Sequence, residues 1–112
     1  MAVKIWWQDI LPEAGNSLLG GDGALQRESD EKIIGNLKKV AREDTTVEVH
    51  HLKYSSYIVR ASYLEMLNNV WVIDGFIDAE KLGYDAAVIG CGNDPGLQQA
   101  RQAVDIPVVG PA

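Results

Sequence analysis

Cysteine is nearly absent from this sequence: of 112 residues one is cysteine, two are histidine and one is phenylalanine. The lone Cys91 excludes a disulfide framework within the chain, and the adjacent His50 and His51 form no spaced Cys/His set for structural zinc. No metal is indicated. Missing too is any apolar run near the roughly 20 residues of a membrane helix. The amino terminus has no basic stretch leading into an apolar run and cleavage site, so a cytoplasmic location is expected and no membrane partner. Basic residues are in the minority, 10 against 16 acidic ones, for a formal net charge of −6. They are scattered among carboxylates rather than gathered in a stripe, which argues against nucleic acid as a partner. A small anionic ligand remains compatible with that charge, because backbone amides at helix starts bind anions locally.

What is present is enough for a single α/β domain of residues 1–112, or part of one. Val3 to Trp7 is a short apolar run suited to a central first strand that ends near Gln8 and Asp9. Leu11 to Gly23 holds four glycines and a proline, long for a strand-to-helix connection, and reads as a surface loop or a lid. Ile33, Ile34, Leu37, Val40 and Ala41 recur at helical spacing with charges between them. Thr45 to Leu52 is β-branched and alternating, with Thr45, Val47 and Val49 on one face and Thr46, Glu48 and His50 on the other. His50 and His51 therefore point to opposite faces and cannot chelate one ion together.

Ser62 and Glu65 have capping-box spacing and open a long helical pattern through Leu64, Leu67, Val70, Trp71 and Ile73 towards Leu82. Gly75 is a candidate bend and Gly83 a candidate C-terminal cap. Ala86 to Ile89 reads as a buried strand, Leu97, Ala100, Arg101 and Val104 as a short helix, and Ile106 to Val109 as a last strand. The order βαβαβαβ with right-handed crossovers predicts a three-layer, flavodoxin-like parallel sheet of spatial order 2-1-3-4. The sequence stops at Pro111-Ala112 with no helix to cover the final edge, so an interrupted lobe is expected.

The chemistry concentrates at Ile89-Gly90-Cys91-Gly92-Asn93-Asp94-Pro95-Gly96-Leu97, where a strand gives way to a helix start. Asp94-Pro95 reads as an N-cap followed by proline at the first helical position. In open α/β sheets the carboxyl ends of strands carry the ligand crevice, and a nearby helix N-terminus favours a thiolate. The small residues flanking Cys91 let a substrate approach the backbone, and the Gly92 and Asn93 amides can hold a carboxylate or an enolate oxygen. That combination suits proton abstraction next to a carbonyl, although a lone cysteine is also a common buried apolar residue. Gly20-Gly21-Asp22-Gly23 lacks the spacing of a phosphate loop, and no G-x-S-x-G nucleophile elbow occurs.

The stretch from Glu80 through Gly83-Tyr84-Asp85-Ala86 and Gly90-Cys91-Gly92-Asn93-Asp94-Pro95-Gly96-Leu97 to Pro107-Val108-Val109-Gly110-Pro111 resembles the aspartate/glutamate/hydantoin racemase superfamily, hydantoin racemases above all. The resemblance implies a cofactor-independent enzyme of two pseudo-symmetric α/β lobes, with one cysteine from each lobe on opposite faces of a small substrate bearing a carboxylate or hydantoin ring. It implies that Cys91 is the first catalytic cysteine, that Gly92 and Asn93 supply substrate-binding amides, and that Asp94 is the aspartate of that turn. This chain then corresponds to the amino-terminal lobe. It has no second cysteine, and Gln8-Asp9-Ile10-Leu11 stands where the family usually carries an asparagine-proline-asparagine-threonine turn. Asp9 is the residue at that strand end expected to face the crevice.

Two other readings stay open. One is a noncatalytic module that retains a carboxylate-binding turn, and the other is a relative of arylmalonate-type decarboxylases, for which one proton donor suffices. A homo-oligomer in which two copies face each other across the crevice would supply a second Cys91.

Overall fold

The computed structural model describes residues 1–13, 24–55 and 61–112. Seven elements follow in the order β1 (Val3–Pro12), α1 (Ala24–Val40), β2 (Thr45–Leu52), α2 (Ser62–Lys81), β3 (Ala86–Ile89), α3 (Leu97–Ala103) and β4 (Val108–Val109). The strands form one parallel sheet of order β2-β1-β3-β4, as the alternation and crossover rule predict. Residues 14–23, which hold most of the expected glycine-rich loop, lie outside the described residues. Leu11 and Pro12 belong to β1, which runs past the expected end at Asp9 and re-pairs with β2 through Pro12 and Leu52 after a register shift.

Register sorts the sheet's two faces. Ile5, Trp7 and Gln8 pair with Ala86, Val88 and Ile89, and Trp6 and Gln8 pair with Glu48 and His50. Because side chains alternate along a strand, Trp6, Gln8, Ala87 and Ile89 share one face. Together with Val72, Phe76 and Ala79 of α2 they make the core, in which Phe76, Val72, Ala79, Ala87 and Ile89 are fully buried. Trp7 and Asp9 face the opposite side.

The buried stripe of α2 is Asn68, Val72, Phe76 and Ala79. Leu67 and Val70, expected in the apolar face, point outward at 47% and 57% exposure. Apolar residues occur on all sides of this helix, so periodicity alone does not select the face. Gly75 does not split α2, which is continuous. Its role is close approach: a Cβ there would sit 2.1 Å from Gln8 Oε1. The bare backbone lets the helix cross a fully buried glutamine that accepts from Trp6 Nε1 at 2.9 Å and donates to the Asp9 carbonyl at 2.9 Å.

The expected capping box of Ser62 and Glu65 does not form; the N-cap is Ala61, without a side-chain cap bond. The carboxyl end of α2 follows expectation. Gly83 adopts φ +82°, its amide donates to Glu80, and the Tyr84 amide donates to Ala79, which is the pattern of a Schellman motif. Glu80 Oε1 then accepts from the amides of Asp105 and Ile106, pinning the connection into β4. Among the described residues no helix is long and apolar enough to cross a membrane.

Candidate functional site

The site is built where β3 leaves the sheet. Pairing extends one residue past the strand, because the Gly90 amide donates to the Gln8 carbonyl at 2.8 Å. Gly90 has to be glycine: a Cβ would lie 2.3 Å from Trp7 Nε1, 2.8 Å from Trp7 Cε2 and 3.0 Å from the Gln8 oxygen. The Trp7 indole thus packs against the bare Gly90 backbone and buttresses the residue before the thiol.

Cys91 is half-buried, packed in part against the core, and free of any disulfide. Its carbonyl accepts from the Asp94 amide at 3.1 Å, closing a four-residue turn with exposed Gly92 and Asn93 at the tip. The amides of those two residues donate to no backbone carbonyl among the described residues. They are available to an anionic group brought beside the sulfur.

Asp94 is not the helix cap that the Asp-Pro spacing predicts. The cap of α3 is Gly96, at φ +71°, ψ +9°, and it carries no side-chain bond. Asp94-Pro95-Gly96-Leu97 is a turn closed by the Leu97 amide on the Asp94 carbonyl at 3.2 Å, with proline first and a positive-φ glycine second, as type II geometry requires. The Pro-Gly dipeptide is the signal that reveals this turn in the sequence. Freed from capping, the Asp94 side chain lies against Gly110 and accepts from the Ala112 amide at 3.3 Å. Asp94 itself sits at φ +48°, a region where aspartate is among the better tolerated residues.

Asp9 is inside β1 and 4% exposed, so its carboxylate does not open to a crevice as expected. Burial pushes its carboxyl above the usual range, partly opposed by backbone donors at Leu11 and Ile10. It comes together with Asp30 of α1 and His51 of β2, a cluster that no local motif announces because the three residues are far apart in sequence.

On the other face His50 stacks flat on Trp6, with ring centroids 3.4 Å apart, and its Nε2 meets the Tyr84 hydroxyl at 3.0 Å. Tyr84 donates to Glu48 and lies under Lys4. These groups lock the entry to β3 rather than the Cys91 turn.

Among the described residues, cavities open on both sides of the fold. One of about 360 Å³ lies between α1 and β2, lined by Ile34, Leu37 and Val47, and one of about 400 Å³ lies beside α2 and α3, lined by Asn69, Ile73 and Gln99. Neither includes Cys91. The second adjoins the thiol turn, since a Cβ at Gly96 would touch Ile73 at 3.3 Å.

Comparison with known proteins agrees with this architecture. The chain is 40% identical over 73 residues to a hydantoin racemase of Pseudomonas sp. (strain NS671), an alignment that covers 65% of this chain and 29% of that protein. Its fold matches an allantoin racemase from Klebsiella pneumoniae with a TM-score of 0.75 at 24% identity, over 97% of this chain and 39% of that one. The chain therefore spans well under half the length of either. The sequence model described as Asp/Glu/Hydantoin racemase matches residues 30–112. This chain belongs to the Asp/Glu/hydantoin racemase family.

Proposed function

We propose that residues 1–112 act as the amino-terminal lobe of a cytoplasmic, cofactor-independent racemase of a hydantoin or related amino-acid derivative, with Cys91 as one of two acid/base groups. The observation that carries this reading is the placement of Cys91, half-exposed just past the carboxyl end of β3 beside two unengaged amides, in a chain of this family. The Cys91 thiolate takes the proton from the carbon next to the substrate carbonyl. The electron pair moves into that carbonyl, and the enolate oxygen accepts from the amides of Gly92 and Asn93. Reprotonation from the opposite face needs a second donor, which comes from outside these residues. Asp94 acts by holding the turn against the segment after β4, and Asp9 supports the neighbouring strand rather than touching substrate.

The test is NMR of a 5-monosubstituted hydantoin in D₂O, following deuterium entry at C5 and optical inversion with this chain and its Cys91→Ser variant. Deuterium uptake above buffer, dependent on Cys91 and without inversion, is the expected result. Uptake with inversion means that a second copy supplies the other donor. No Cys91-dependent uptake overturns the reading in favour of a noncatalytic carboxylate-binding module.

A further inference from the structure

Beneath α1, on the sheet face opposite the main core, three ionisable side chains from three elements converge. Asp9 of β1, Asp30 of α1 and His51 of β2 each place one donor atom within 4.8 Å of the others. Asp9 is 4% exposed; its Oδ1 accepts from the Leu11 amide at 3.2 Å, and its Oδ2 is buried with no partner. His51 Nε2 meets Asp30 Oδ2 at 2.9 Å. The remaining atoms of that pair, Asp30 Oδ1 and His51 Nδ1, are buried and unpartnered.

Among the described residues five buried side-chain polar atoms lack a hydrogen-bond partner, and three of the five are in this cluster. A buried polar atom left unsatisfied is costly; one ion cannot meet both nitrogens of an imidazole, so the group in need of a partner is the Asp9 carboxylate, whose Oδ2 is buried beside the Asp30–His51 pair. The contact between Asp30 and His51 engages only one atom of each, and the Asp9 carboxylate lies beside it. With both carboxylates ionised and the imidazole neutral the cluster carries two negative charges, which one divalent cation neutralises.

We infer that Asp9, Asp30 and His51 form a binding site for one divalent first-row transition-metal ion of the zinc type, with water completing the shell. The donor set decides the class. Imidazole with carboxylate suits zinc and its neighbours, whereas magnesium and calcium favour all-oxygen shells. Zinc holds nitrogen and oxygen at about 2.0–2.2 Å, so two ligands of one ion lie roughly 3–4 Å apart. The cluster therefore has to close by up to about 1–2 Å at its widest pair, a change within reach of side-chain rotations. The bound ion replaces the direct Asp30–His51 contact and ties α1 to two strands. That helix is otherwise weakly held, with Ile34 and Val40 at 37% and 79% exposure. This site is independent of the chemistry proposed at Cys91.

The test is calorimetric titration of the chelator-treated chain with zinc chloride, with thermal unfolding and the visible spectrum of the cobalt-substituted protein as further readouts. One equivalent is expected to bind, to raise the unfolding temperature and to give a cobalt spectrum without thiolate charge transfer. Asp30→Asn and His51→Gln are each expected to weaken binding tenfold or more while circular dichroism shows the fold retained. Cys91→Ser is expected to bind as before, which separates the site from capture by the thiol, and Glu28→Gln is expected to bind as before, which separates it from loose association with surface carboxylates. Absence of a bound equivalent overturns the inference. So does binding that survives His51→Gln or disappears with Cys91→Ser.

Discussion

The carboxylate of Asp94 lies so close to the backbone of Gly110 that a methyl group at position 110 would stand 2.2 Å from Oδ1 and 2.6 Å from Cγ. This contact joins the turn carrying Cys91 to the chain just beyond β4, with the Ala112 amide donating to the same Oδ1. The Pro-Val-Val-Gly-Pro close and the Gly-Cys-Gly-Asn-Asp-Pro-Gly turn are thus two sides of one contact. The loop that carries Cys91 gains a fixed position from a glycine sixteen residues after Asp94.

Gly110→Ala is expected to evict the Asp94 carboxylate and destabilise the chain by about 1–3 kcal/mol, the usual range for overpacking. In an Asp94→Gly background, which also suits φ +48°, the same substitution should be close to neutral. Urea denaturation of the four chains gives the coupling energy directly. Additive effects would mean that the two residues do not press on one another.

Gly90→Ala forces a methyl group into the Trp7 indole and towards the Gln8 carbonyl, neither of which is the loose end of a flexible chain. The expected loss is again about 1–3 kcal/mol, accompanied by a change in tryptophan fluorescence as the indole is pushed aside. An unchanged unfolding midpoint would show that the strand end yields easily and that Trp7 does not buttress the turn.

Much of this fold is legible in the sequence because its strands obey a simple rule. Thr45 to His50 alternates in sequence and the bounds of β2 are as expected, and short apolar strands separated by helical patterns leave few topologies once crossovers are right-handed. Legibility fails where a residue's role depends on what lies across the fold. Asp94 carries the local signature of a cap, yet the Pro-Gly turn moves the helix start to Leu97 and the carboxylate to Gly110. Gly75 has the signature of a break, yet its missing side chain makes room for Gln8. Asp9 ends the apolar run and looks exposed, yet β1 continues to Pro12 and buries it with Asp30 and His51. In each case distant backbone geometry decides which of two local meanings holds.

Cys91 is both a member of the core's fringe and the proposed base, and the two roles separate under substitution. Cys91→Ala removes one sulfur from a half-buried position and is expected to change stability by no more than about 1 kcal/mol. Deuterium exchange should nevertheless fall to the buffer rate. A large loss of stability with exchange retained would assign the residue to packing.

Tyr84 links the strand entry to pH. Its hydroxyl donates to Glu48 and accepts from His50 Nε2 when that nitrogen carries the ring proton. The Tyr84 hydroxyl first, with Lys4 adding to it at 3.5 Å, holds the Glu48 carboxyl below its ordinary range. Because the folded chain gives up that proton more readily than the unfolded one, the associated stability is present above the unfolded value near 4.5 and is lost as pH falls through the folded value. Tyr84→Phe removes the donor while keeping the ring that packs edge-on to Trp6. Burial lowers the His50 pKa, and because its Nε2 meets the hydroxyl only in the parent, both chains carry His50→Gln so that this group does not titrate in their comparison. The gap in unfolding temperature between the parent and Tyr84→Phe should therefore be wider at about pH 6 than at about pH 3, where Glu48 becomes protonated in both. A gap independent of pH would show that the hydroxyl stabilises the fold without reference to the charge on Glu48.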